Sequence, residues 1–505
     1  MNDRMTNILE YLEDTAPRYK DKVAFADEDT ALTFSELYVR ARAIGSYLLR
    51  QGLSREPVVV FMGKSPQTIS AFLGVVYAGC YYVPLDEEMP AQRIRLILEQ
   101  LQPRALICDA VSREAAERHG FMGEILLYND IASGPADEAA LQAVRERAID
   151  TDPIYVVFTS GSTGIPKGVA ACHRSVIDYV EALTEVLRVT SDSAFGMQVP
   201  LYVDACLKEV FSTLKFGATT WMIPKQLFMF PIQLVEFLNQ HEINTVCWVV
   251  SALTLISGLG AFKKVVPQHL RTIAFGSEVF PIRQFNLWKQ HVPDARYINL
   301  YGPTETTGMT CWYEVDREFG PDEAIPIGHA FHNREILLLD GDRLAEPGEP
   351  GDICIRGTCL TLGYYGAFDK TADAFVQNPL NPHYPELIYR TGDIGRINDR
   401  GELVFVSRRD SQIKHMGQRI ELGEVEMAAS TVDAVGGAGC IFDGEKKKII
   451  LFYVGEIAEA AVSTALRDKL PRYMLPNMIF RLERMPYTSN GKLDRIALKA
   501  QYEAK

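Results

Sequence analysis

The sequence predicts a mixed α/β protein, with a large N-terminal domain of helix-covered β-sheets, a β-rich subdomain and a small α+β C-terminal domain. Three observations carry this. Short apolar runs (VVVFMG, RALICD, YVVFTSG, TVCWVVS, TIAFGSE) alternate with helical spacings such as LTFSELYVRARAIGSYLL from about residue 21 to residue 325. Strands alternating with helices build sheets with helices on their faces and active-site loops where strands end. Glycine and proline become dense over 326–363, where ILLLD and GDICIRG read as strands of a smaller β-rich piece. Near Arg408 a charged, turn-rich stretch, SRRDSQIKHMGQRIELGEVE, opens a C-terminal part of domain size. The boundaries predicted are 1–407 and 408–505, with a hinge at Arg409 and Asp410.

Composition narrows the function classes. A chain of 505 residues outgrows a single hydrophobic core, and 47% hydrophobic with 23% charged residues is ordinary globular usage. The net charge of −13 comes without a dense Lys/Arg block, so a nucleic-acid footprint is missing. Nine scattered cysteines, never spaced CxxC, read as reduced buried thiols of a cytoplasmic protein. The N-terminus carries carboxylates where a signal peptide has its apolar run, and Met5, Ile8, Leu9 and Leu12 fit an amphipathic helix. The uncharged stretch Ser65 to Leu85 holds two glycines, two serines and two prolines, which makes it a buried helix and strand and predicts no membrane span.

The strongest chemical signal is YVVFTSGSTGIPKGV, residues 155 to 169, where a β-rich strand runs into a loop of hydroxyls and glycines. Such a loop suits phosphates: Gly161 and Gly164 let the backbone approach an anion, Thr159, Ser160, Ser162 and Thr163 add hydroxyl donors, and Lys167 supplies charge. It is not a P-loop, because Pro166 stands where that pattern has glycine before the lysine.

This loop resembles the phosphate loop of the acyl-adenylate-forming (ANL) superfamily, and later motifs follow in order: NLYGPTETT, YRTGD, RRDSQIKHMGQRIELGEVE, LPRYMLP and TSNGKLDR. GxRIELGEVE with NGKxDR is most similar to stand-alone amino-acid adenylation domains of nonribosomal peptide synthesis and to D-alanine:carrier-protein ligases. The resemblance implies the ANL adenylating fold, with the C-terminal domain as a lid, and it implies ATP and Mg²⁺. It assigns adenine stacking to Tyr301, the adenine edge to Asn299, and neighbouring ATP contacts to Gly302 and Thr304. Glu305, helped by Thr159, would hold Mg²⁺, since a hard cation bridging phosphates takes carboxylate and hydroxyl oxygens. Asp393 would accept the ribose hydroxyls, with Arg408 beside them; Ser407 departs from the glycine usual before that arginine. Lys492, which unaided reading leaves on a solvated turn, would meet the substrate carboxylate and phosphate oxygens as the catalytic cation.

The segment QVPLYVDACLKEVF resembles the substrate-binding turn of amino-acid adenylation domains, in which Asp204 pairs with the substrate ammonium. An unpaired buried carboxylate is costly, so Asp204 favours an amine-bearing substrate; a helix N-cap aspartate is the structural alternative. By motif position the pocket is lined by Asp204, Ala205, Lys208, Cys247, Ala274, Gly276, Leu300, Gly308 and Met309, with Gly276 and Gly308 leaving room. Two readings of Lys208 stand: it meets an acidic substrate side chain, or it pairs with Asp204 one helical turn away.

The implied reaction is ATP-dependent adenylation of an amino acid, with pyrophosphate released, and transfer to the phosphopantetheine thiol of a carrier protein. The chain stops 13 residues after Lys492 without a carrier segment, so the expected acceptor is a separate acyl or peptidyl carrier protein. An acyl-CoA synthetase acting on a small carboxylic acid, or a non-catalytic nucleotide-binding protein on the same fold, are the alternatives.

Overall fold

A computed structural model describes residues 5–161, 165–320, 323–409, 412–486 and 493–504. Two compact units divide it. The first comprises 1–86, 103–157 and 168–409; the second comprises 87–102, 158–167 and 410–505. The chain therefore crosses between units near residue 409, and two earlier segments, one carrying the start of the phosphate loop, cluster with the C-terminal residues.

The first unit is built on three sheets. A six-stranded sheet has the order Glu124–Leu127, Ala105–Cys108, Pro57–Phe61, Tyr81–Leu85, Pro153–Thr159, Lys167–Cys172. Its central strands Pro57–Phe61 and Tyr81–Leu85 are buried at every position, as parallel strands covered on both faces must be. The helix Pro66–Tyr77 between them has 11 buried residues, so the long uncharged stretch is core. Its Ser65 cap accepts from the Thr68 N–H. The helix Phe34–Arg50 begins with a Thr33 and Glu36 capping box. No helix among the described residues is long and apolar enough to cross a membrane.

A nine-stranded sheet carries the predicted pocket. Strands Ala194–Met197, Thr245–Val249, Thr272–Gly276 and Arg296–Tyr301 run parallel, and Cys311–Glu314 closes back antiparallel. The β-rich subdomain is the third sheet, with Arg334–Asp340, Gly351–Gly357, Leu387–Ile397 and Leu403–Arg408 in antiparallel succession. In the second unit a hairpin of Gln412–His415 with Gln418–Glu421 leads into the helix Leu422–Ser430 and a three-stranded sheet. Arg93 and Glu424 form a buried ion pair at 2.9 Å that ties segment 87–102 to this helix. All nine cysteines are free and buried.

The N-terminal helix starts later than its apolar spacing suggests, at Glu10. Ile8, Leu9 and Leu12 are buried as expected, but the Ile8 N–H donates to His173 Nδ1 at 3.1 Å, and Glu10 Oε1 accepts from the Thr6 and Asn7 N–H groups. Those contacts hold residues 6–8 out of the helix. Burial, with Arg145 nearby, lowers the His173 pKa from 6.5 to about 4. The folded state thus favours the neutral ring. This contribution is complete above pH 6.5 and is lost as pH falls through 4. Unfolding free energies measured from pH 7 to 4 should fall by about 3 kcal/mol more in the wild type than in His173→Asn. An equal pH dependence in the two proteins would remove His173 from the account.

Candidate active site

Three sheet strands bring together residues more than 90 positions apart in sequence. Tyr301 ends the strand Arg296–Tyr301, and Asp393 lies opposite Arg408 in the antiparallel pair Leu387–Ile397 with Leu403–Arg408. The Tyr301 hydroxyl donates to Asp393 Oδ2 at 2.5 Å, and Arg408 Nη1 donates to Asp393 Oδ1 at 2.6 Å. Burial and the Asp393 charge push the Tyr301 phenol far above its usual range, so it stays a donor. Both carboxylate oxygens already hold one protein donor, which leaves lone pairs for hydroxyl donors of a ligand. Asn299 is two residues back on the same face as Tyr301, and its amide nitrogen donates to the Pro326 carbonyl at 2.8 Å and the Ile325 carbonyl at 3.4 Å. Its amide oxygen, an acceptor, takes part in neither of these bonds.

Glu305 sits in the turn Thr304–Thr306, with its carboxylate buried. Oε1 accepts from the Tyr364 hydroxyl at 2.9 Å, and the Glu305 carbonyl accepts from the Thr361 N–H at 3.1 Å. Among the described residues no group of three or more His, Cys, Asp or Glu is placed to hold a metal. One held carboxylate is nevertheless a fit for Mg²⁺, which binds through one or two carboxylates and takes its other oxygens from phosphates and water.

The phosphate loop belongs to the second unit up to Lys167. Thr159 Oγ1 lies 3.5 Å from the Lys167 carbonyl, and the Ser160 hydroxyl donates to the Arg419 carbonyl at 2.9 Å. Ser160 is thus engaged by protein here. A Cβ at Gly161 would lie 2.1 Å from the Ile165 carbonyl oxygen, so this turn admits only glycine. Ser162, Thr163, Gly164, the hinge Asp410 and the catalytic candidate Lys492 lie outside the described residues.

Four of the expected pocket residues share a sheet face. Cys247 pairs with Ala274, and Gly276 pairs with Leu300, which puts Cys247, Ala274, Gly276 and Leu300 on one face of three parallel strands. Asp204 opens the turn Asp204–Cys206 ahead of the helix Leu207–Phe216 and caps neither element, so the N-cap alternative falls. Burial raises the Asp204 carboxyl pKa, while Lys208 and the Thr304 hydroxyl pull it back. A cation delivered to this carboxylate would be well matched.

Two expectations about the pocket change. Gly276 and Gly308 do not leave room: a Cβ on Gly276 would lie 2.3 Å from the Leu300 carbonyl oxygen, and one on Gly308 would lie 2.8 Å from the Tyr179 ring. The neighbouring strand and an aromatic side chain already fill those volumes. Lys208 makes no ion pair with Asp204; its Nζ donates to the Ala205 carbonyl at 2.8 Å, because the local helical turn offers that oxygen three residues back. Lys208 is only 3% exposed, as buried as Leu300 and Cys247 of the same expected lining. Its charge has a neighbour that motif position did not supply, Glu209, which is fully buried and whose carboxylate oxygens have no hydrogen-bond partner. Burial pushes the Glu209 carboxyl up to about 7, against the pull of Lys208 and Lys64.

Sequence reasoning also missed Tyr364, Tyr179 and Arg334. Arg334 has a fully buried side chain, donates to the Met309 carbonyl at 2.8 Å and pairs with Asp178, pinning the pocket loop. Tyr179 and Tyr364 resemble packing residues in sequence. Only the adjacent charges of Lys208 and Glu209 in the otherwise apolar LKEVF gave a readable signal.

Comparison with known proteins gives the family and the fold. The family profile described as AMP-binding enzyme matches residues 12–365. Tyrocidine synthase 1 of Brevibacillus parabrevis is 30% identical over 97% of this chain, and surfactin synthase subunit 2 of Bacillus subtilis (strain 168) is 30% identical over 98% of it. The chain spans only 45% and 14% of those two proteins. Among solved structures, the Vibrio cholerae adenylation domain AlmE in complex with glycyl-adenosine-5'-phosphate superposes with a TM-score of 0.85 at 20% identity, covering 100% of this chain and 99% of that one. Holo-PA1221, an NRPS protein containing adenylation and PCP domains, gives 0.82 at 23% identity, covering 98% and 84%. These two show the fold. With the family profile over most of the chain and the Tyr301, Asp393, Arg408 and Glu305 arrangement in place, this chain belongs to the AMP-binding enzymes and is an adenylate-forming enzyme.

Proposed function

We propose that this enzyme adenylates the carboxylate of an amino acid with ATP and passes the aminoacyl group to the phosphopantetheine thiol of a separate carrier protein. The observation that carries the substrate class is Asp204. Its carboxylate is partly buried and its pKa is raised by desolvation, and an α-ammonium group beside it would replace part of the missing solvation. An acid without an amine would leave only Lys208 and the Thr304 hydroxyl to offset that burial.

In the first half-reaction a substrate carboxylate oxygen attacks the α-phosphorus of ATP, the bond to pyrophosphate breaks, and aminoacyl-AMP forms. In the second, a thiolate attacks the acyl carbon and AMP leaves. Asp393, oriented by Tyr301 and Arg408, takes the ribose hydroxyls. Glu305, held by Tyr364, offers a carboxylate oxygen to Mg²⁺, which would spread the phosphate charge. Lys492 supplies the cation at the reacting carboxylate and phosphate, a position-dependent stabilisation of the kind that dominates such displacements. Nine free buried thiols suit the cytoplasm, where we place the enzyme.

The test is ATP–pyrophosphate exchange over a panel of amino acids of both enantiomers and simple carboxylic acids, with carrier-bound pantetheine and coenzyme A as competing acceptors. Exchange dependent on an amino acid is expected. Lys492→Ala should abolish that exchange while leaving transfer from preformed aminoacyl-AMP largely intact. Exchange with amine-free acids alone, or transfer to coenzyme A in preference to the carrier, would overturn the proposal.

A further inference from the structure

Lining by glycine and alanine suggests a roomy pocket, yet its inner wall is closed by a residue outside every recognised motif. Tyr179 stands on the helix His173–Leu187 and is fully buried. Its ring lies where a Gly308 side chain would be, with Cζ, Cε1 and Cε2 at 2.8, 3.0 and 3.2 Å from the position of a Cβ. Gly308 has φ +77°, so its backbone folds around the ring in a conformation that side chains disfavour. The expected lining has almost no surface: Ala274 is 0%, Cys247 2% and Leu300 3% exposed. Only Asp204 and Ala205 are partly open.

From this closure we infer that Tyr179 sets the size limit of the substrate side chain, and that the substrate is glycine or alanine. This rests on the amino-acid reading above. The Asp204 carboxylate, pairing with the substrate ammonium, fixes the amine end, and the side chain must then point at a packed wall rather than a cavity. Close-packed interiors accept extra methylenes poorly. Each methylene a pocket cannot house changes discrimination by about 10–200-fold.

The experiment compares specificity constants in pyrophosphate exchange for glycine, D- and L-alanine, leucine, phenylalanine and glutamate. In the wild type, glycine or alanine should exceed leucine by at least about 10-fold. Tyr179→Leu should raise the leucine-to-alanine ratio by a similar factor, whereas Tyr179→Phe, which keeps the ring, should leave it in place. The ratio does not respond to a fraction of unfolded enzyme, and Tyr179→Met offers a second reduction of ring volume should Tyr179→Leu fail to fold. A wild type that prefers leucine, phenylalanine or glutamate overturns the inference, as does a ratio unchanged in every folded volume-reducing variant. Absence of exchange with every amino acid would instead sink the amino-acid reading on which it rests.

Discussion

Arg334→Ala is expected to lower the unfolding free energy by about 3–5 kcal/mol and to weaken amino-acid-dependent exchange. The Arg334 guanidinium is fully buried between the Met309 carbonyl and Asp178. Removing it strands a mostly buried carboxylate, although Asn333 and the Thr358 hydroxyl still donate to Asp178 Oδ1. It also frees the carbonyl of a pocket residue. The loss is read by urea unfolding, and the functional part by the KM for the amino acid at a temperature where both proteins are folded. Retention of stability within about 0.5 kcal/mol would show that the pair is not holding the loop.

Asp393→Ala should cost a similar amount, about 3–5 kcal/mol, and should also weaken ATP. Its carboxylate is the acceptor for both Tyr301 and Arg408, and Arg408 is itself mostly buried. Losing the anion takes the Asp393 carboxylate away from a mostly buried guanidinium and leaves a ligand hydroxyl pair without that acceptor, the latter worth about 1–3 kcal/mol in ATP affinity. Calorimetric titration with ATP separates this from stability. Asp393→Asn keeps one acceptor oxygen and should lie between the two. An unchanged ATP dissociation constant in Asp393→Ala would remove this residue from the nucleotide site.

The chain order of motifs was enough to identify the fold class and the candidate residues, because apolar periodicity and punctuated glycine loops are local properties. The helix Phe34–Arg50 has its cap and its period in the same 18 residues, and the strands of the pocket sheet are contiguous apolar runs. Motif position named Cys247, Ala274, Gly276 and Leu300 as pocket lining, and it is the strand register that sets them on one sheet face, since a parallel sheet preserves alternation. The late start of the first helix was not legible, because His173 accepts the Ile8 N–H from 165 residues away.

What the sequence by itself determined was therefore the layered α/β architecture, the phosphate-type loop and the acidic and basic candidates Asp204, Glu305, Asp393 and Arg408. Only tertiary structure decided what surrounds them. Whether Gly308 opens a space depends on Tyr179, which comes from a different helix, and the partner of Lys208 depends on which carbonyl the turn presents. Volume and solvation belong to neighbours in space, and no spacing along one segment encodes which distant side chain will fill a gap or satisfy a charge.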